Sequence, residues 1–170
     1  MTNRQIILED TDRVENLNYH PVEKKYINVM LINKCIIYIL LLLLPLFALF
    51  FEEFDNRIPI ILTTDIIVLL IAVTDLAMTK KACTFKGYAI REKDITYRRG
   101  IIYHRTTTMP FCKIQQVSIS QSPVARIFGL YCVDITNGAQ LESGLSIPGL
   151  NEKDAEDLKE LITEKIQHAE

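Results

Sequence analysis

The sequence predicts an α+β protein: a helical hairpin of membrane-spanning length, then a run of short antiparallel strands capped by one C-terminal amphipathic helix. Three observations carry that prediction. Two apolar stretches, Cys35 to Phe51 and Ile58 to Met78, are separated only by the acidic tip Glu52-Glu53-Phe54-Asp55-Asn56-Arg57. After Lys81 the apolar spacing changes from helical to alternating. Beyond Pro148-Gly149, Asn151 is a good N-cap for a segment whose apolar residues recur at helical spacing.

A spanning helix needs about 20 mainly apolar residues to cross roughly 30 Å of hydrocarbon. The second stretch has 21 and the first 17. The first lengthens inward through Val29-Met30-Leu31-Ile32, with Asn33 and Lys34 snorkelling toward the headgroups. A soluble core helix seldom runs from Ile36 to Leu44 with no polar face, and a signal peptide would not follow so long a mixed-charge segment. Lys24, Lys25 and Lys34 precede the first span and Lys80, Lys81 and Lys86 follow the second, whereas the tip holds only Arg57. Both termini are therefore expected in the cytoplasm. The expected divisions are an N-terminal cytoplasmic arm over 1–21, a hairpin over 22–79 with spans at about 33–51 and 58–78, and a small domain over 82–168.

The formal net charge of −2 hides an uneven distribution. Residues 80–126 carry ten Lys or Arg against Glu92 and Asp94, and residues 127–170 carry three Lys against nine acids. A basic half beside the inner leaflet follows from attraction to anionic headgroups and is weak evidence for any particular ligand. Cys35, Cys83, Cys112 and Cys132 form no Cys-x-x-Cys pair and read as reduced thiols. His20, His104 and His168 lack ligand spacing, so no metal site and no cofactor are expected.

In chain order, Asn18-Tyr19-His20-Pro21 punctuates, and a helix is expected from about Val22 into the first span, ending near residue 51. Pro45 lies inside it and frees a carbonyl one turn earlier. The second span contains Asp65 and Asp75, each costing about 2.5 to 3.5 kcal/mol near a helix centre. Folding the hairpin about its tip sets position 75 level with position 34, so Lys34 is the expected partner of Asp75. Asp65 lies level with Leu44 and Pro45, out of reach of any charged residue. Two readings stand for it: a protonated group bonded to Thr63, Thr64 or the carbonyls loosened by Pro45, or a contact with another subunit or membrane protein.

After the spans, Thr84 to Arg91, Asp94 to Arg98 and Ile101 to Arg105 read as strands, the last two joined by a tight turn at Arg99-Gly100. Thr106-Thr107-Thr108 extends the third strand and Pro110 ends it. Ile114 to Gln121 alternates again. Ser122-Pro123 then supplies a cap and first helical residue for a single turn closed by Gly129. Tyr131, Val133 and Ile135 alternate, Asn137-Gly138 signals a hairpin, and Leu141 and Leu145 to Ile147 return. Pro148-Gly149 is expected to break the sheet. Glu152, Asp154, Glu156 and Asp157 load the positive end of the last helix, which buries Ala155, Leu158, Leu161, Ile162 and Ile166.

The segments Gly87 to Arg91, Asp94 to Ile102, Met109-Pro110, Lys113 to Val117, Gln121 to Arg126, Phe128-Gly129-Leu130 and Ile147 to Leu150 resemble, in this order, the bacterial pleckstrin-homology-like domain of the YdbS type. The resemblance covers about residues 84 to 165, and similar members carry two spans before the domain. It implies a PH-like, strongly bent sheet of about seven strands closed by the C-terminal helix, with no catalytic residues and no cofactor.

No nucleophile elbow, phosphate loop or His-Glu-x-x-His helix is present, so an enzyme is not expected. The expected function is a scaffold or subunit of a membrane protein assembly at the inner leaflet of the bacterial cytoplasmic membrane. Its partners would be the bilayer and another membrane protein or a second copy, not nucleic acid. The alternative is an anionic-lipid-binding module. Asp65, Asp75 and Lys34 are the candidate intramembrane contacts, and Lys80, Lys81, Arg98, Arg99, Arg105 and Arg126 the candidate lipid or partner surface. Arg126 has a second reading, as a guanidinium stitching loop carbonyls together.

Overall fold

The structure, a computed structural model, describes residues 17–46, 57–100, 103–137 and 144–167. In chain order the elements are β1 (His20–Pro21), α1 (Tyr26–Leu46), α2 (Arg57–Thr84), β2 (Gly87–Ile90), β3 (Asp94–Arg99) and β4 (Arg105–Pro110). A 3-10 turn (Phe111–Lys113) follows, then β5 (Ile114–Ser120), α3 (Pro123–Ile127), β6 (Tyr131–Asn137), β7 (Leu145–Leu150) and α4 (Glu152–Gln167).

Helices α1 and α2 pack on one another and leave most of their apolar surface uncovered. Only 6% and 17% of their most apolar windows are buried, far less than a core helix of a soluble domain would show. The covered positions of α2 form one stripe, Ile61, Asp65, Val68, Ala72, Asp75, Thr79 and Cys83, spaced as one helical face. On α1 the matching positions are Lys34, Tyr38, Leu42 and Pro45. The exposed large apolar side chains from Ile36 to Leu46 and from Ile58 to Val73 need an apolar environment from outside the chain.

The strands form two antiparallel sheets, β1-β2-β3-β4 and β5-β6-β7, which do not close on each other. Ile95, Tyr97 and Met109 from the first sheet face Val133, Ile135, Leu145 and Ile147 from the second, with Phe111 of the 3-10 turn between them. Helix α4 covers the open side, burying Ala155, Leu158 and Ile162 against β5, β6 and the 3-10 turn. Asn151 Oδ1 accepts from the Asp154 N–H at 2.7 Å, and Ser122 Oγ accepts from the Ala125 N–H at 3.2 Å, so both expected caps are made.

Four details differ from the sequence expectation. The long first helix begins at Tyr26, not Val22, because Pro21 is held in β1 against Gly87. By the strand bounds, five residues separate β3 from β4 where a tight turn at Arg99-Gly100 was expected. Arg99 ends β3, Gly100 sits at φ 92°, and the next strand starts only at Arg105. The sheet runs on through Pro148 to Leu150, since a register shift at Tyr131 and Cys132 accommodates Gly149. The seven strands are reached by recruiting His20–Pro21 from ahead of the hairpin. Asn137 ends β6, while Gly138, Leu141 and the acidic tip 52–56 lie outside the described residues.

Candidate functional site

The place where the hairpin enters the sheet domain is built from several independent contacts. Glu23 N–H donates to the Gly149 carbonyl at 2.8 Å. The Tyr26 ring lies flat against the same glycine, where a Cβ would come within 2.6 Å of the ring. Val29 of α1 is buried with Ala125 of α3 and Leu130. Lys86, the second residue after α2, sits 4.9 Å from the Tyr26 ring centroid. Burial pushes the Lys86 ammonium below its usual range, and the nearby Arg99 and Lys34 act in the same direction. Basic side chains thus converge on the junction.

Within the hairpin, Lys34 Nζ lies 2.8 Å from Asp75 Oδ1 and 2.9 Å from Thr79 Oγ1. Tyr38 O–H donates to the other Asp75 oxygen at 2.9 Å. Tyr38 and Thr79 were not singled out from sequence, yet each stands four residues from a member of the pair, one helical turn along the same face. Asp65 differs. Its Oδ1 is buried on the α1-facing stripe with no hydrogen-bond partner among the described residues. The threonines expected to serve it are engaged elsewhere: Thr63 Oγ1 donates to the carbonyls of Pro59 and Ile60, and Thr64 Oγ1 to that of Ile60.

The basic surface residues separate into distinct environments. Lys80 and Lys81 are exposed on the last turns of α2. Arg98 is not free: its guanidinium lies 4.2 Å over the Tyr19 ring and its Nε is buried. Arg126 is exposed on α3 beside Ile127 and its guanidinium makes no hydrogen bond among the described residues, so the loop-stitching role has no side-chain contact to carry it. Arg99 and Arg105 are brought together as directly opposed residues of β3 and β4. The loop between them carries Tyr103, 87% exposed, and His104, whose ring meets Phe85 edge-on at 5.9 Å. Phe85 directly follows α2, so this loop lies at the end of the hairpin that joins the sheet domain.

Two cavities open on the domain. One of about 340 Å³ lies between β1, β2 and α4 and is lined by His20, Tyr88, Asp154 and Asp157 among others. The other, of about 200 Å³, is lined by Tyr97, Arg99, Arg105, Thr107, Gly144, Leu145 and Ser146. On the neighbouring sheet, Asp134 accepts from Ser120, Ser146 and the Cys132 thiol. Burial pushes its carboxyl up, but those three donors outweigh burial and hold it below the usual carboxylate range. Burial raises the Cys132 thiol to about 12, with Asp134 adding to the effect, so it is not a poised nucleophile. Among the described residues no three His, Cys, Asp or Glu side chains gather as metal ligands.

Residues 29–166 match the family model described as Bacterial PH domain. That range takes in α1 from Val29 onward, all of α2, and the sheet domain except β1 and the last residue of α4. Neither a curated protein nor a solved structure matches the chain.

Proposed function

Because the chain belongs to the bacterial PH domain family, we propose that it is a non-catalytic, membrane-fixed PH-like module, a scaffold or subunit of a membrane protein assembly. On this reading α1 and α2 span the cytoplasmic membrane, both termini face the cytoplasm, and the sheet domain rests against the inner leaflet. The observation that carries it is the junction. Glu23, Tyr26 and Val29, ahead of the first span, are packed into the domain that follows the second. A tethered binding module needs only a flexible linker. A domain locked to its anchor at several points holds one orientation relative to the bilayer, which is what a subunit presenting a fixed surface requires.

Asp65 supports a neighbour inside the membrane. An unpartnered carboxyl oxygen in hydrocarbon is costly, and intramembrane acids characteristically find partners on adjacent helices. A second copy or another membrane protein supplies the partner; either fits the same role. The anchorage is tested by alkaline carbonate extraction of membranes, combined with labelling of cysteines placed at the tip, Asp55→Cys, and at the end, Glu170→Cys, in a background lacking native cysteines. The expected result is a protein retained in the pellet, with the tip labelled from outside spheroplasts and the terminus labelled only after lysis. Release by carbonate, or the reverse labelling pattern, overturns the proposal.

A further inference from the structure

The cavity between β3, β4 and the start of β7 presents hydrogen-bond donors, and no carboxylate is among the described residues that line it. Tyr97 and Arg99 on β3 lie opposite Thr107 and Arg105 on β4, all four on the face of the hairpin that carries Ile95 and Met109 into the core. That face is apolar until the sheet outruns its core, and there it ends in two opposed arginines. Like charges directly across an antiparallel pair are destabilising. Neither guanidinium has an ion pair or hydrogen bond among the described residues. The Tyr97 ring is buried, and its hydroxyl also lacks a hydrogen-bond partner among the described residues. Burial pushes this phenol well above its usual range, so it remains a donor at neutral pH. Asp134, which reaches the cavity through Ser146, already accepts from two hydroxyls and a thiol.

We propose that Arg99, Arg105 and the Tyr97 hydroxyl form a binding site for a phosphate group. Two guanidiniums set on opposed strands can each offer paired N–H donors to a tetrahedral oxyanion, and the phenol adds a third direction. The cavity of about 200 Å³ holds a phosphate and its immediate substituent, smaller than a drug-sized ligand requires. His104, the neighbour of Arg105 in sequence, meets Phe85 just after α2, so a phospholipid headgroup and a soluble phosphate are both within reach. The site rests on the membrane-fixed reading only for the first of these sources.

The test uses the full chain purified in an uncharged detergent, titrated calorimetrically with dioctanoyl phosphatidylglycerol and, separately, with inorganic phosphate. At least one probe is expected to bind and to raise the melting temperature. Arg99→Gln/Arg105→Gln should weaken that binding about 10-fold or more, and Lys80→Gln/Lys81→Gln should change it less than about 3-fold, as expected of solvated charges. Binding of the lipid uncontested by phosphate identifies the headgroup as source, and displacement by phosphate identifies the soluble ion. Removing a like-charge pair should not unfold the domain. Should the double variant nevertheless misfold, Thr107→Glu, which places a carboxylate in the cavity, must abolish binding. Binding of neither probe, binding that survives these changes, or loss with the lysine pair alone overturns the site. Carbonate extraction is untouched by any of these outcomes, so failure here leaves the anchorage reading standing.

Discussion

Gly149→Val is expected to cost about 3 kcal/mol or more of stability and to free the sheet domain from its anchor. Two effects add at this position. Gly149 sits at φ 78°, a conformation that strains a β-branched residue by about 1 to 3 kcal/mol. A Cβ there would also lie 2.6 Å from Tyr26 Cγ and 2.9 Å from Tyr26 Cβ, so the ring must leave the domain surface. Displacing the ring moves the first turn of α1, loosens the Glu23 bond to the Gly149 carbonyl and opens the cluster of Val29, Ala125 and Leu130. The core of the domain does not depend on Tyr26. Hydrogen exchange of the detergent-solubilised protein should therefore show lost protection at residues 26–30, with β5, β6 and α4 still protected. Equal protection at the junction in variant and wild type would mean that Tyr26 does not fasten the two parts together. Tyr26→Ala provides the complementary case: it removes the clamp without the backbone strain, and should give the same local exchange pattern with a smaller stability loss.

Gly149 also shows where the sequence was legible and where it was not. Pro148-Gly149 is a strong local break signal, yet the strand continues through it because a register shift on β6 absorbs the irregularity. Whether a partner strand shifts is a tertiary property with no local signature. For the same reason β1 was unreadable: two exposed residues carry no periodicity, and only pairing with Tyr88 and Gly87 makes them a strand. Elements with long repeats were legible. The spans follow from hydropathy, α4 from its cap and its 155, 158, 162 stripe, and β5 and β6 from alternation. The two parts of the site differ in the same way. Lys34 and Asp75 could be paired by counting outward from the tip, because a helical hairpin has a fixed rise per residue. Arg99 and Arg105 could be flagged as basic, but their opposition depends on a five-residue loop where a tight turn was expected, and a different loop length gives different cross-strand neighbours. The phosphate site is thus a consequence of register, visible only once the hairpin is folded.

Removing the partner of Asp75 and removing Asp65 should change stability in opposite directions. Lys34→Leu leaves Asp75 with Tyr38 as its sole side-chain donor in place of an ion pair, and is expected to destabilise the hairpin by about 2 kcal/mol. The figure sits below the 3 to 5 kcal/mol typical of breaking a fully buried pair because both side chains retain some exposure. Lys34→Leu/Asp75→Leu should recover most of that loss, since an apolar pair in hydrocarbon needs no compensation. Asp65→Leu has no pair to break. Its buried oxygen has no partner among the described residues, so leucine should stabilise the isolated chain, by up to the roughly 2.5 to 3.5 kcal/mol assigned to an aspartate at a helix centre. Thermal or denaturant unfolding in one detergent, with all three variants, measures these signs directly. A stabilising Asp65→Leu that also abolishes crosslinking to a neighbour in native membranes would mean that this carboxyl is kept for assembly at the expense of the fold. A destabilising Asp65→Leu would place its function inside the hairpin seam and remove the support that Asp65 lends to an intramembrane partner.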